Sequence, residues 1–169
     1  MFRIFIVLAY LTACFFFGNW KNWKNYYSTI LYVIVGDLTY NFIFYNYLLW
    51  KYEKLVNHTI NDLLYALLVF PCAIILFLTY YPFRIGIGKQ AIYILAWSGF
   101  NTFVEHISSI HGYMSYHNNW NIFWSFGVYI IAFCLIRLHY KHPLVVWPIS
   151  TGLGVITAII FKLPFHLII

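Results

Sequence analysis

The segment NTFVEHISSIHGY places Glu105 next to His106 inside an otherwise apolar stretch. A carboxylate beside an imidazole is a common pairing for acid–base chemistry. On an α-helix, however, consecutive residues point about 100° apart, so these two side chains face different neighbours. Residues at steps of three and four share a face, which groups Glu105 with Trp97, Asn101 and Ser108. We therefore expect Glu105 to find its partners on other helices.

Asp37 is a second acid within an apolar run, in the segment VIVGDLTYNFIFYN. A charged side chain at the centre of a membrane helix costs about 3 kcal/mol on insertion scales. The same spacing rule places Asp37, Tyr40, Asn41 and Tyr45 on one face, turned towards other helices rather than lipid. Either this stripe is a hydrogen-bond network between helices, or it is a proton or substrate site.

Composition decides the environment in which these residues act. Hydrophobic residues make up 63% of the 169 residues, aromatic residues 24% and charged residues only 8%. A soluble domain carries roughly 25% charged residues, and Tyr and Trp collect at membrane–water boundaries. The ten Lys and Arg are scattered between apolar runs and form no basic patch. The sequence therefore predicts an integral membrane protein that does not bind nucleic acid.

Six apolar runs approach the length of about 20 residues that crossing a bilayer requires. They cover roughly 2–18, 29–50, 62–82, 90–111, 120–138 and 144–161, and the breaks between them are short and rich in Gly, Pro, Asn or charge. The pattern predicts a single all-α domain over residues 1–169, a bundle of about six antiparallel transmembrane helices without a sheet. The first run is the shortest and could instead lie partly in the interface, which leaves five spans.

An antiparallel bundle brings two of the connections to one membrane face. Segments 57–62 and 111–121 both lie at the end of the bundle that Glu105 approaches. A polar pocket at a bundle end is a usual place for a small ligand, although a solvated loop region would have the same composition. The candidate ligand-binding residues are Asp37, Asn41, Asp62, Trp97, Asn101, Glu105, His111, His117, Asn121 and Trp124.

Histidine and cysteine spacing argues against a metal site and against disulfides. His106 and His111 are five residues apart, and no HxxxH or HExxH face exists. Cys14, Cys72 and Cys134 lie in three different apolar runs, which indicates free thiols in helix interiors. We expect neither a metal nor a cofactor.

Loop charges favour one orientation. The connections on one face hold six Lys or Arg, whereas the other face, with both termini, holds four. The positive-inside rule then places the first face in the cytoplasm and both termini outside. The segment IRLHYKHP belongs to the cytoplasmic face. It predicts a basic turn in which Arg137, His139, Lys141 and His142 lie near lipid phosphates.

Five short motifs carry a resemblance to a known family. GNWKNWKNYY, VGDLTYNF, NHTINDLL, SYHNNWNIFWS and IRLHYKHP occur in this order along nearly the whole chain. Together they resemble an uncharacterised family of small polytopic membrane proteins from Bacillus- and Clostridium-type bacteria. The resemblance implies a bacterial plasma membrane and a single helical domain. The family has no assigned activity, so it supplies no catalytic residues, although its motifs include the segments of Asp37 and Asp62.

Three classes of function remain open, so whether the protein is an enzyme is open too. The first is a bundle that binds or passes a small ligand or lipid, or assists a membrane-protein partner; the lack of a complete catalytic constellation favours it. The second is an intramembrane enzyme acting on lipid or isoprenoid, with Glu105 or Asp37 donating protons and aromatic rings stabilising a cation. The third is a proton-coupled transporter in which both acids line one path. We expect membrane lipids as partners in every case.

Overall fold

The computed structural model describes residues 2–52, 60, 63–164 and 166. Six α-helices and one two-stranded sheet form most of this part of the chain. The helices are α1 (Phe2–Phe17), α2 (Trp23–Ile43), α3 (Phe70–Tyr80), α4 (Ile87–Ile110), α5 (Ile122–Lys141) and α6 (Pro143–Ile160). A 3-10 turn (Trp20–Asn22) leads into α2 and a π-helical turn (Tyr65–Val69) leads into α3. The strands are β1 (Trp50–Tyr52) and β2 (Met114–Tyr116).

α3 is the central helix and packs against both α1 and α2. Cys72 and residues 74–78 are all buried, as expected of a helix that is hydrophobic on every side. Phe77 has no exposed surface. Its ring contacts four others, those of Tyr81, Tyr93, Trp97 and Phe133. α5 packs against α2, α4 and α6 and completes the bundle on its other side.

α1 and α2 meet at a bend of 88°, at the break predicted from GNWKNWKN. The bend requires glycine at position 18, because a Cβ there would lie 2.5 Å from the Cys14 carbonyl oxygen and 3.0 Å from Ile75. The Trp20 indole donates a hydrogen bond of 3.0 Å to the same carbonyl oxygen. The Gly18 backbone N–H donates to that oxygen as well, at 2.8 Å, so both bonds hold the chain at the end of α1.

Two to three candidate membrane spans follow from helix length and hydropathy. α5 and α6 each qualify alone, and α1 and α2 qualify together as a bent pair. The apolar stretch Tyr65–Tyr80 is shorter. Large apolar side chains such as Phe16, Phe123 and Leu144 are 71%, 82% and 84% exposed, which suits contact with lipid rather than water. The expected count of about six spans stays a prediction.

The short sheet contradicts the expectation of a chain without strands. β1 pairs antiparallel with β2, with Trp50 opposite Tyr116 and Tyr52 opposite Met114. α2 ends at Ile43, earlier than the predicted end at residue 50. A turn follows, in which the Tyr47 N–H donates to the Phe44 carbonyl oxygen, and the strand ladder begins at Trp50. The ladder also joins the connection after α2 to the connection after α4. The connections after α2 and α4 therefore meet at one end of the bundle, but segment 57–62, apart from Ile60, lies outside the described residues, so its predicted place there stays a prediction.

The predicted basic turn is wrong for His139, which points into the bundle. α5 continues to Lys141, and a step of three residues puts His139 on the buried face of Ile136. His139 is 2% exposed, and its Nδ1 lies 3.1 Å from the Thr29 hydroxyl oxygen. Its ring stacks on Tyr32 with the centroids 4.3 Å apart. Lys141, like His142 after it, is exposed as expected.

Candidate functional site

A cavity of about 120 Å³ lies at the end of the bundle where β1 pairs with β2. Its described lining residues are Asp37, Asn41, Trp50, Tyr52, Tyr65, Phe70, Glu105, Met114, Trp120, Ser125, Val128 and Tyr129. The chain has four acids, of which Glu53 and Asp62 lie outside the described residues. The other two, Asp37 and Glu105, line the same space, which we call the Glu105 cavity.

Two tyrosines hold the carboxylate of Glu105. The Tyr116 hydroxyl donates to Oε1 at 2.7 Å, and the Tyr129 hydroxyl donates to Oε2 at 2.7 Å. Glu105 is only 7% exposed, so these bonds replace those that water would make. Both oxygens accept a phenol O–H, as the two acceptor oxygens of a carboxylate can. Each carboxylate oxygen has two acceptor positions, so each retains one for a ligand.

The β1–β2 ladder carries part of the cavity wall. Side chains alternate along a strand, so Trp50, Tyr52, Met114 and Tyr116 share one face of the ladder. The first three line the cavity, while Tyr116 reaches the carboxylate. Trp50 is fixed in turn by stacking on Tyr40, with the ring centroids 4.1 Å apart and the planes 4° from parallel.

A chain of hydrogen bonds runs from Trp120 to Glu105. The Trp120 indole donates to the Ser125 hydroxyl at 2.9 Å, and Ser125 is hydrogen-bonded to the Tyr116 hydroxyl. An indole N–H can only donate. Ser125 therefore accepts from Trp120 and donates to Tyr116, which leaves the Tyr116 proton for the carboxylate.

The protonation of Tyr116 follows from its surroundings. Burial raises the pKa of the Tyr116 phenol well above its usual range, and the Glu105 carboxylate raises that pKa further; the hydrogen bond from Ser125 has a smaller, opposite effect. Loss of the proton would place a second negative charge beside the first. Tyr116 is therefore a hydrogen-bond donor at neutral and mildly alkaline pH.

The π-helical turn Tyr65–Val69 supplies further aromatic wall. The Phe70 backbone N–H donates to the Tyr65 carbonyl oxygen five residues earlier, and the following Pro71 has no N–H with which to continue a regular helix. Turns of this kind recur at functional sites. This one places Tyr65 and Phe70 on the cavity. Tyr65 stacks on Tyr52 with the centroids 4.9 Å apart.

The second acid of the cavity stands on α2. Asp37 and Asn41 are one helical turn apart, and the Asn41 amide donates to the Asp37 carboxylate at 3.3 Å. Both side chains are half-buried. The prediction that these two residues share a face is confirmed, and that face borders the Glu105 cavity.

The structure thus brings together three of the predicted ligand-binding residues: Asp37, Asn41 and Glu105. Asp62 lies outside the described residues. Asn101 is on the expected stripe but bonds within the bundle: its side chain accepts from Tyr10 at 3.1 Å and donates to the Trp97 carbonyl oxygen at 2.8 Å. The Trp97 ring packs in the core.

The other predicted residues surround the end of the bundle without entering the described cavity lining. His111 and His117 are exposed, and the His117 Nε2 lies 3.0 Å from the Ser115 hydroxyl. Asn121 caps α5, because its side-chain oxygen accepts backbone N–H groups of the first turn at 3.0 and 3.3 Å. Trp124 is 42% exposed, as an interfacial tryptophan would be.

Sequence reasoning missed the two tyrosines that hold Glu105. Tyr129 follows Ser125 by four residues on α5, so the spacing argument that identified the Glu105 stripe could have found this pair. Tyr116 gave no such signal, since it reaches Glu105 only through the pairing of β1 with β2.

The chemistry available at this site is binding and proton exchange. The cavity offers carboxylates, an amide and hydroxyl groups among six aromatic rings. A carboxylate can attract a cation or accept a proton, and aromatic faces stabilise positive charge. Within the described residues, no group of three or more His, Cys, Asp or Glu side chains is placed to hold a metal ion.

Comparison with known proteins does not assign the chain to a family. No family model, no curated protein and no solved structure matches it. The function is therefore argued from the geometry of the Glu105 cavity.

Proposed function

We propose that the protein is a multi-pass membrane bundle that binds a small ligand in the Glu105 cavity. The observation that carries the proposal is the convergence of Asp37 and Glu105 on one aromatic-lined space. If Glu105 only held helices together, its carboxylate would need hydrogen-bond partners but no polar cavity beside it, because protein interiors pack as densely as organic crystals. At about 30 Å³ for each water-sized group, the cavity has room for about four such groups.

The surface supports the membrane location. The candidate spans α5 and α6 expose large apolar side chains along their length, Phe123, Ile131, Val155 and Ile159 among them. The bend of 88° between α1 and α2 favours the five-span arrangement, in which α1 lies along the interface and α2 to α6 cross. Loop charges orient the cavity towards the extracytoplasmic side, together with the C-terminus, and in this arrangement α1 lies at the cytoplasmic face. The resemblance of the motifs supports a bacterial plasma membrane.

An intramembrane enzyme is the second candidate, and the sharing of the cavity by two acids favours it. One carboxyl group could donate a proton to a lipid or isoprenoid while the other accepts one, with the rings stabilising a carbocation. A space for about four water-sized groups admits one end of such a substrate rather than the whole molecule. Turnover of a prenyl lipid to a product of altered mass or double-bond position, detected by mass spectrometry, would support this candidate over simple binding.

Ligand-induced thermal stabilisation tests the proposal. The full chain in phosphatidylglycerol nanodiscs is heated with one probe of each chemical class: tetramethylammonium, tert-butyl alcohol, acetate, inorganic phosphate and 3-methylbut-2-enol. A ligand present at 100 times its Kd stabilises the native state by about 2.7 kcal/mol. This corresponds to a rise in Tm of about 5–10 °C for a chain of this length.

Two variants assign any stabilisation to the cavity. Glu105→Gln removes the charge at nearly constant volume, and we expect it to abolish the rise in Tm. Tyr81→Phe is the matched control, because it removes a buried tyrosine hydroxyl that bonds Gln90 on the same helix as Glu105 but away from the cavity. Stabilisation by no probe, or equal stabilisation of the wild type and Glu105→Gln, contradicts the proposal.

A further inference from the structure

We infer that the ligand of the Glu105 cavity is an organic cation carrying a compact alkylammonium group. The inference rests on the proposed function and names the chemical class of its ligand. Three features of the cavity support it: the charge of Glu105, the aromatic walls and the volume.

The charge of the cavity favours a cation. Only 7% of the surface of Glu105 is exposed, and both of its hydrogen-bond partners are neutral phenols. A buried carboxylate is costly unless positive charge balances it. The described lining residues include no Lys, Arg or His, so this part of the wall holds no counter-ion for Glu105. A ligand with positive charge would supply one.

The walls of the cavity suit an alkylated rather than a strongly hydrated cation. Six of the twelve described lining residues are aromatic. Trp50 and Trp120 stand 4.9 Å apart, centroid to centroid, with their planes at 50°, so they form a corner. The stacked pair of Tyr52 and Tyr65 adds to the same wall. Aromatic faces attract a cation within about 6 Å of the ring centroid, and cages of such rings are used to recognise quaternary ammonium groups.

The volume restricts the size of the cation. Room for about four water-sized groups matches the four non-hydrogen atoms of a trimethylammonium group. A bare metal ion would leave most of the space unfilled, and a ring compound with substituents would exceed it. An anion of the right size, such as acetate, would meet the Glu105 carboxylate with like charge.

The alkylammonium group could belong to a free amine or to a lipid headgroup. The cavity lies at the end of the bundle, beside the exposed Trp124 and the connections that precede α3 and α5, where headgroups are found. The two sources present the same group to the same walls. They differ in whether the lipid bilayer alone can fill the site.

The test compares tetramethylammonium with tert-butyl alcohol, a neutral compound with the same number of non-hydrogen atoms and nearly the same shape. Binding to the full chain in phosphatidylglycerol nanodiscs is followed by the shift in Tm and by the change in tryptophan fluorescence expected from Trp50 and Trp120. We expect tetramethylammonium to bind and to compete with choline, and tert-butyl alcohol to bind at least about tenfold more weakly. Equal binding of the neutral compound, or preferred binding of acetate, overturns the inference but leaves the proposed ligand site intact. If no probe binds, both are refuted.

Variants separate the roles of the charge and the rings. Glu105→Gln should weaken tetramethylammonium binding at least about tenfold, whereas Tyr81→Phe should leave it unchanged. A second pair of variants does not depend on how well Glu105→Gln folds. Trp50→Phe keeps an aromatic face and should bind tetramethylammonium within about threefold of the wild-type affinity. Trp50→Leu should lose at least about tenfold in that affinity. Equal affinities of Trp50→Phe and Trp50→Leu would overturn the aromatic-cage geometry.

Lipid composition distinguishes the two sources of the group. If a lipid headgroup fills the cavity, phosphatidylcholine nanodiscs should raise the Tm of the wild type above its value in phosphatidylglycerol and abolish the further effect of tetramethylammonium. If only a free amine reaches the cavity, the effect of tetramethylammonium should be the same in both lipids. Either result supports an alkylammonium ligand, provided that the rise in Tm is absent in Glu105→Gln.

Discussion

The bond between Tyr129 and Glu105 allows a quantitative test of how the carboxylate is held. In Tyr129→Phe, Oε2 of Glu105 loses a hydrogen bond of 2.7 Å. A hydrogen bond to a charged group contributes about 1.5–3 kcal/mol in soluble proteins, while polar contacts between membrane helices average about 0.6 kcal/mol and reach about 1.7 kcal/mol. Because Glu105 is buried, we expect a value near the upper membrane figure, about 1.5 kcal/mol. This lowers Tm by about 3–6 °C.

The control and the double variant make the test specific for charge. Tyr81→Phe removes a neutral bond of 3.0 Å to Gln90 and should cost about 0.5–1 kcal/mol. In a Glu105→Gln background the acceptor facing Tyr129 is neutral, so Tyr129→Phe should also cost only about 0.5–1 kcal/mol. Tyr81→Phe should cost the same in either background, since distant sites add.

Thermal unfolding in detergent, followed by circular dichroism at 222 nm, measures all of these Tm values. The reasoning is refuted if Tyr129→Phe costs no more than Tyr81→Phe, or if its cost is the same with Glu and with Gln at position 105. Either result would mean that the carboxylate is not a charged acceptor of the two phenol hydrogen bonds.

Three further predictions concern other parts of the molecule. Gly18→Ala should lower stability by about 1–3 kcal/mol, because its Cβ would lie 2.5 Å from a carbonyl oxygen. Gly36→Ala, with open space around its Cβ, should be neutral or stabilising by up to about 1 kcal/mol. The Tm of each variant tests both values. Because the pKa of Tyr116 is raised in the fold, its contribution to stability is complete below the ordinary tyrosine pKa of 10.0 and is lost as the pH rises above that value. The difference in Tm between the wild type and Tyr116→Phe should therefore shrink between pH 10 and 11. A constant difference contradicts this prediction. His139→Phe should cost about 1–3 kcal/mol of stability by leaving the hydroxyl of Thr29 without its partner. Adding Thr29→Val to that variant should restore part of the Tm. If the Tm does not recover, the lost hydrogen bond is not the cause of the destabilisation.

Much of the helical layout could be predicted from the sequence, because it depends on local periodicity. The separation of Glu105 from His106 follows from the 100° step of a helix, and the structure buries the first and exposes the second. The pairing of Asp37 with Asn41 follows from a step of four residues. Even the meeting of the connections after α2 and α4 follows from an antiparallel arrangement.

The partners of these residues could not be predicted in the same way. Composition extended the second helix to residue 50, where the chain instead forms β1. A ladder of three residue pairs depends on which loop lies next to it, and this ladder brings Tyr116 to Glu105. His139 has the character of a surface histidine in sequence, but the rotation of α5 about its axis turns it towards Thr29.

The sequence by itself determined a helical, apolar protein whose few acids lie on faces turned away from lipid, because these properties depend on composition and on the pitch of one helix. The tertiary structure alone decided that Asp37 and Glu105 share a cavity and that two tyrosine hydroxyls hold the carboxylate. These features depend on the distance and rotation between elements far apart in the chain, which no local pattern encodes. The acid that stood next to a histidine in the sequence is therefore a partner of Tyr116 and Tyr129 in the fold.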